Sequence, residues 1–112
     1  MENFKLVKSF EYKGHQCFIV SVHFMPELSH NGYVEVKHNQ MEADYNDYNL
    51  NVPMELTYQG NSKKYGYSSD RIFIGFDTNH YYDTAITKSL QNVECVCREF
   101  VDALENYYET RI

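Results

Sequence analysis

"TKSLQNVECVCREFVDALENYYE", residues 87 to 109, decides the fold. Leu90, Val93, Cys97, Phe100, Val101, Leu104 and Tyr108 recur at three- and four-residue steps, which lays them along one stripe of an α-helix. Glu94, Glu99, Asp102, Glu105 and Glu109 fall mainly off that stripe and predict a solvated outer face. Thr87 or Ser89 is placed to cap the start, because a hydroxyl there accepts from an amide that has no partner within the helix.

Upstream of this helix the period is two. In "FKLVKSFEY" (4–12), Phe4, Leu6, Phe10 and Tyr12 share a face, with Lys8 the exception. "KGH" (13–15) reads as a hairpin turn, since Gly14 can take a positive φ. "QCFIVSVHF" (16–24) sets Phe18, Val20, Val22 and Phe24 against Cys17, Ile19, Ser21 and His23. "MPELSHNG" (25–32) interrupts the pattern, and "GYVEVK" (32–37) resumes it with Val34 and Val36 inward. The polar, tyrosine-rich stretch 38–49 reads as an exposed loop with a helical turn. "LNVPMELTY" (50–58) alternates cleanly, and Pro53 assigns it to an edge or a bulge. "RIFIGF" (71–76) is apolar on both faces and therefore central. The prediction is an α+β fold: an antiparallel sheet of about five strands with one C-terminal helix on one face, a single domain over residues 1–112. Its other face is then open to a partner or ligand.

Composition excludes several classes. Hydrophobic residues form 43% of the 112, with 11 Tyr and 7 Phe, which is enough for a core and too much for disorder. The net charge of -6 argues against binding nucleic acid directly, which needs a basic face, and suits a basic partner. No apolar run approaches a membrane span, and the charges in "MENFKLVKSF" are too closely spaced for a signal peptide, so a cytoplasmic protein is expected. Cys17, Cys95 and Cys97 make no disulfide framework, and reduced thiols are expected. Without a nucleophile elbow or a phosphate-cradling glycine loop, catalysis has little support and a non-enzymatic role is expected.

Candidate binding groups follow the fifth strand. Asp77 and His80 are three apart, so a tight turn can aim both at one point, and Asp83 joins them if the segment curls. Zinc accepts Asp, His and Cys, usually four in tetrahedral array, and His30, Asp77, His80 and Cys97 form a reasonable set. The simpler reading, the commoner one for two polar residues, is a turn closed by Asp77 with His80 at the surface. His15 in its turn and His38 in its loop are expected to face solvent, while His23 lines the open face. Glu42, Asp44, Tyr45, Asp47 and Tyr48 offer an acidic, aromatic patch for a basic partner, tyrosine being enriched at recognition surfaces.

"NGYVEV", "LTYQG", "IGFDTNH" and a final helix carrying "ECVCREF", in that order, resemble a group of small phage- and prophage-encoded proteins. Their pattern is a GYV-x-V strand, a V-H-G-G-[LI]-T-[YF] segment, a G-F-D-C-x-H turn and a helix with E-C. The likeness runs over roughly residues 30 to 104 in short motifs, and includes Gly32, Tyr33, Thr57, Gly75, Asp77, His80, Asp83 and Cys97. Pro53, Met54 and Glu55 replace its His-Gly-Gly, and Thr78 replaces the cysteine of its turn. A family metal site that used those residues is here reduced or moved. Small acidic proteins of this kind look like host-defence antagonists, nearest to anti-CRISPR proteins. The resemblance implies a partner of Cas9 type, whose heteroduplex channel is basic. A second class is a binder that sequesters a small nucleotide signal, with Tyr33, Asp77 and His80 around a pocket. A third is a metal-dependent hydrolase, which an open coordination position would distinguish.

Overall fold

A computed structural model describes residues 3–24, 27–52, 54–78, 80 and 83–109. Five strands, β1 (Asn3–Tyr12), β2 (His15–Phe24), β3 (Glu27–Val36), β4 (Tyr58–Gly60) and β5 (Ile72–Phe76), form one antiparallel sheet in the order β1-β2-β3-β5-β4. Helix α1 (Leu90–Glu109) lies across β2 and β3. The fold is α+β as the periodicities predict, with β5 interior and β4 at an edge. Among the described residues no helix is long and apolar enough to cross a membrane.

The helical stripe becomes the core. Val93, Cys97, Phe100, Val101 and Leu104 are buried against Cys17, Ile19, Val34, Ile74 and Phe76. Gly32 makes the approach possible: a Cβ there would meet the Phe76 ring at 2.4 Å and the Cys97 sulfur at 2.8 Å. Ser89 is the cap, its hydroxyl accepting from the Asn92 amide at 3.2 Å. Thr87 belongs to the preceding turn, where its hydroxyl donates to Asp83 at 3.0 Å. Lys13 (φ 52) and Gly14 (φ 80) make the tight β1–β2 hairpin.

Three sequence expectations are corrected here. The ladder between β1 and β2 slips between Leu6 and Lys8. Leu6 therefore lies opposite Val20 and Phe4 opposite Val22, while Phe10 lies opposite Cys17 on the helix side. One bulge thus splits a face that strict alternation joins. It also accounts for Lys8, which falls on the helix side and bonds Glu94. Next, β3 begins at Glu27, because Leu28, Ser29 and His30 continue the ladder with β2 that polar composition masks. Last, residues 50–57 are not a strand. Thr57 donates one bond to the Gly75 carbonyl (2.9 Å), and regular pairing starts at Tyr58. Pro53 lies outside the described residues. Leu50, Val52, Met54 and Leu56 still pack on the core, so the alternation reports burial without a ladder.

The helix's outer face is less free than its charge pattern suggests. Lys8 reaches Glu94, Lys13 reaches Asp102 at 2.6 Å, and Lys37 reaches Glu105 at 3.3 Å. Three acids expected in solvent instead tie the helix to β1 and to the segment after β3. The opposite sheet face is also partly covered: Phe18, Val20 and Phe73 are buried there beneath Tyr33, Tyr65 and Tyr67.

Candidate functional site

The segment after β5 does bring its polar residues together. His80 Nε2 lies 3.4 Å from an Asp77 oxygen, and its Nδ1 lies 2.9 Å from Asp83. Asp83 also accepts from the His80 amide at 3.1 Å and from the Thr87 hydroxyl. Burial pushes the Asp83 carboxyl up, but the bonds from His80 and Thr87 outweigh it and hold it below the usual range. The carboxylate that closes the turn is thus Asp83, where a reading of Asp77 as an Asx residue expects the earlier one. The arrangement staples the connection from β5 to α1.

Of the four residues considered for zinc, Asp77 and His80 meet in this turn, while Cys97 and His30 have other surroundings. Cys97 is fully buried in the core, and burial drives its thiol well above its ordinary value. His30 donates from Nδ1 to the Lys88 carbonyl at 2.6 Å, tying β3 to the approach to α1. Thr78, in place of the resembled family's cysteine, is also fully buried. Its hydroxyl donates to the His30 carbonyl (2.8 Å) and accepts from the His30 amide (3.3 Å). Among the described residues, no three His, Cys, Asp or Glu side chains are disposed to hold a metal ion. The three cysteines are free, and Cys17, buried beside Cys97, is pushed up to about 12 by burial.

His15 reverses its expected position. It is fully buried, donating from Nδ1 to the Glu35 carbonyl at 2.7 Å, with Nε2 3.2 Å from Glu105. Glu105 also receives Lys37 and the buried Gln40 amide. Burial raises its carboxyl, and the bonds from His15 and Lys37 more than offset that, leaving it below the usual range. Hairpin position alone does not reveal this, because Glu105 of the covering helix is 90 residues further on. His23 and His38 are exposed, His38 as expected.

The acidic, aromatic patch divides in two. Glu42 is a fastener: its carboxylate accepts from the Tyr108 hydroxyl (2.9 Å), its carbonyl from Gln59 (3.0 Å), and its amide donates to the Tyr48 hydroxyl (3.1 Å). Tyr48 is half-buried on the core. Asp44 and Asp47 stay exposed around a short 3-10 turn (Tyr45–Asp47), with Tyr45 half-buried. Residues 45–52 and 54–56 border a trough beside α1. One hollow of about 340 Å³ is lined by Tyr45, Tyr48, Val52, Met54, Glu55 and Phe100, among others. A wider one of about 620 Å³ includes Asn51, Glu99, Asp102 and Tyr107, and Leu50 lines both. Among the described residues, neither lining contains Lys, Arg or His. Glu55 and Glu99 are exposed and pair with no cation among the described residues. Sequence reasoning missed the trough because it read 50–58 as a strand.

Comparison with protein-family models, with curated proteins and with solved structures finds no match.

Proposed function

We propose that the protein is a non-enzymatic binding module that docks a basic surface of a partner protein in the trough between residues 45–56 and α1. The supporting observation is charge placed beside apolar and aromatic area. Tyr45, Met54 and Val52 offer contact surface, Glu55 and Glu99 stand exposed at it, and among the described residues neither hollow has a cation in its lining. Recognition surfaces combine such aromatic area with electrostatic complementarity, which steers encounter and selects the partner. Asp44 and Asp47 extend the same negative field at the adjoining turn.

The target class comes from the motif resemblance: a Cas9-type effector whose nucleic-acid channel is basic, occupied by this acidic protein so that guide or target cannot engage. The net charge of -6 agrees with that role. No metal step enters it.

The test is inhibition of Cas9 cleavage and direct binding to the effector, comparing wild type with the triple variant Asp44→Lys, Asp47→Lys, Glu55→Lys. All three residues are exposed, so the fold survives, which a melting curve checks. Affinity falling by about tenfold or more, with a weaker salt dependence, supports the reading. Equal inhibition by both proteins removes the trough from it, and no binding by wild type removes the effector.

A further inference from the structure

The sheet face opposite α1 carries a separate hollow of about 280 Å³, lined by Tyr33, Tyr58, Asn61, Ser62, Lys64 and Tyr65. It shares no residue with the acidic trough. Its walls are aromatic rings in fixed orientations. Tyr33 stacks on the fully buried Phe18 at 4.6 Å and 11°. Tyr58 stands nearly perpendicular to Tyr33 at 5.7 Å and 83°. Tyr65 is tilted by 43° to it at 6.3 Å. Two contacts hold these rings. The Tyr58 hydroxyl donates to the Asn61 carbonyl at 2.5 Å, and Gly75 leaves Tyr33 its space, since a Cβ there would lie 2.8 Å from the ring.

Two polar groups at this hollow hydrogen-bond no other described residue. Ser62 is only 4% exposed, yet its hydroxyl has no hydrogen-bond partner among the described residues. Its carbonyl, by contrast, is used, accepting from the Tyr65 amide at 3.0 Å. The one buried side-chain polar atom without a partner among the described residues is Gln59 Oε1, so the Ser62 hydroxyl keeps access to solvent and can bond a ligand atom in the hollow. The Lys64 ammonium rests over the rings of Phe4 (5.4 Å) and Tyr65 (5.2 Å), and no carboxylate among the described residues pairs with it. Among the described residues, no Asp or Glu lines the hollow.

Ring faces stack planar ring systems, a hydroxyl bonds a heteroatom edge, and an unpaired ammonium takes an anion. We propose that this hollow binds a planar heteroaromatic ring bearing an anionic group, of mononucleotide class. The base packs among Tyr33, Tyr58 and Tyr65, its edge bonds Ser62, and the phosphate meets Lys64. The volume, about 280 Å³, falls just below the roughly 300–1,000 Å³ typical of ligand pockets, which admits one base and excludes a dinucleotide.

The experiment titrates the intact protein with AMP, adenosine and inorganic phosphate, followed by amide chemical shifts and by tyrosine fluorescence. The variants are Lys64→Gln and Tyr58→Ala, both at exposed positions, with melting curves confirming that each folds. Saturable AMP binding with shifts centred on residues 58–65 is expected. Lys64→Gln should weaken AMP about tenfold and leave adenosine unchanged, and Tyr58→Ala should weaken both. The proposal is overturned if AMP fails to saturate at millimolar concentration, if phosphate alone binds as tightly as AMP, or if AMP binding ignores both substitutions.

Discussion

The two faces of the sheet are built from different chemistry. Under α1 the residues are mainly Val, Ile, Leu, Phe and Cys, buried, and most polar groups among them are used: His15 bonds Glu35 and Glu105, and Gln40 bonds Glu105 and the Lys37 amide, while Gln59 Oε1, beside Ile74, is the one buried side-chain polar atom without a partner among the described residues. On the other face a small buried set, Phe18, Val20 and Phe73, lies beneath tyrosines that stay half in solvent. There the Ser62 hydroxyl and the Lys64 ammonium, both open to the hollow, have no polar partner among the described residues. One face is organised for stability, because apolar burial supplies most of the folding free energy. The other carries polar capacity that folding does not consume, which is where a ligand gains most.

The sharpest way to break this contrast is a matched pair of truncations. Phe100→Ala removes a fully packed ring from the helix face and should cost roughly 3–5 kcal/mol in denaturant unfolding. Tyr58→Ala, on the other face and partly exposed, should cost about 1 kcal/mol. Equal costs would mean that the tyrosine face is as structural as the core.

A smaller effect is expected from crowding the helix interface. Gly32→Ala puts a methyl group into the Phe76 ring and the Cys97 sulfur, and should cost about 1–3 kcal/mol as α1 lifts from β3. An unchanged melting temperature would mean that the helix sits further from the sheet than the Gly32 contacts require.

The smallest is a pH effect. The carboxyls of Glu35, through its fork to Arg71 (2.7 Å for each bond), and of Glu105 are held below the ordinary range. A depressed folded value means the carboxylate stabilises the fold above the unfolded pKa of about 4.3, and that contribution is lost as pH falls through the folded value. Wild type should therefore lose stability below about pH 4.5 more steeply than Glu105→Gln. Parallel melting profiles across that range would remove Glu105 from the balance.

How far the sequence carried this reading depends on whether a signal is local. The helix stripe, the β2 alternation and the two-sided apolarity of "RIFIGF" are periodicities within one element, and each appears in the structure as predicted. The bulge after Leu6 is a relation between two strands, invisible in either alone. His15 looks like a turn residue until α1 covers it, and Glu42 looks like a free acid until Tyr108 reaches it. Asp77, His80 and Asp83 do meet, because a short turn is local. Cys97 and His30 were joined to them only by ligand chemistry, and the fold uses both elsewhere. The tyrosine hollow was hidden in "QGNSKKYGYSSD", whose turn-forming residues read as a connection and whose Ser62 and Lys64 gain meaning only beside Tyr33.

The most direct test of the docking proposal is backbone hydrogen exchange on the protein, alone and with an excess of a Cas9-type effector. The proposal predicts slowed exchange in residues 44–56 and the outer turns of α1, with residues 58–67 unchanged. Slowing confined to the tyrosine face or to β1, or none anywhere, would contradict it.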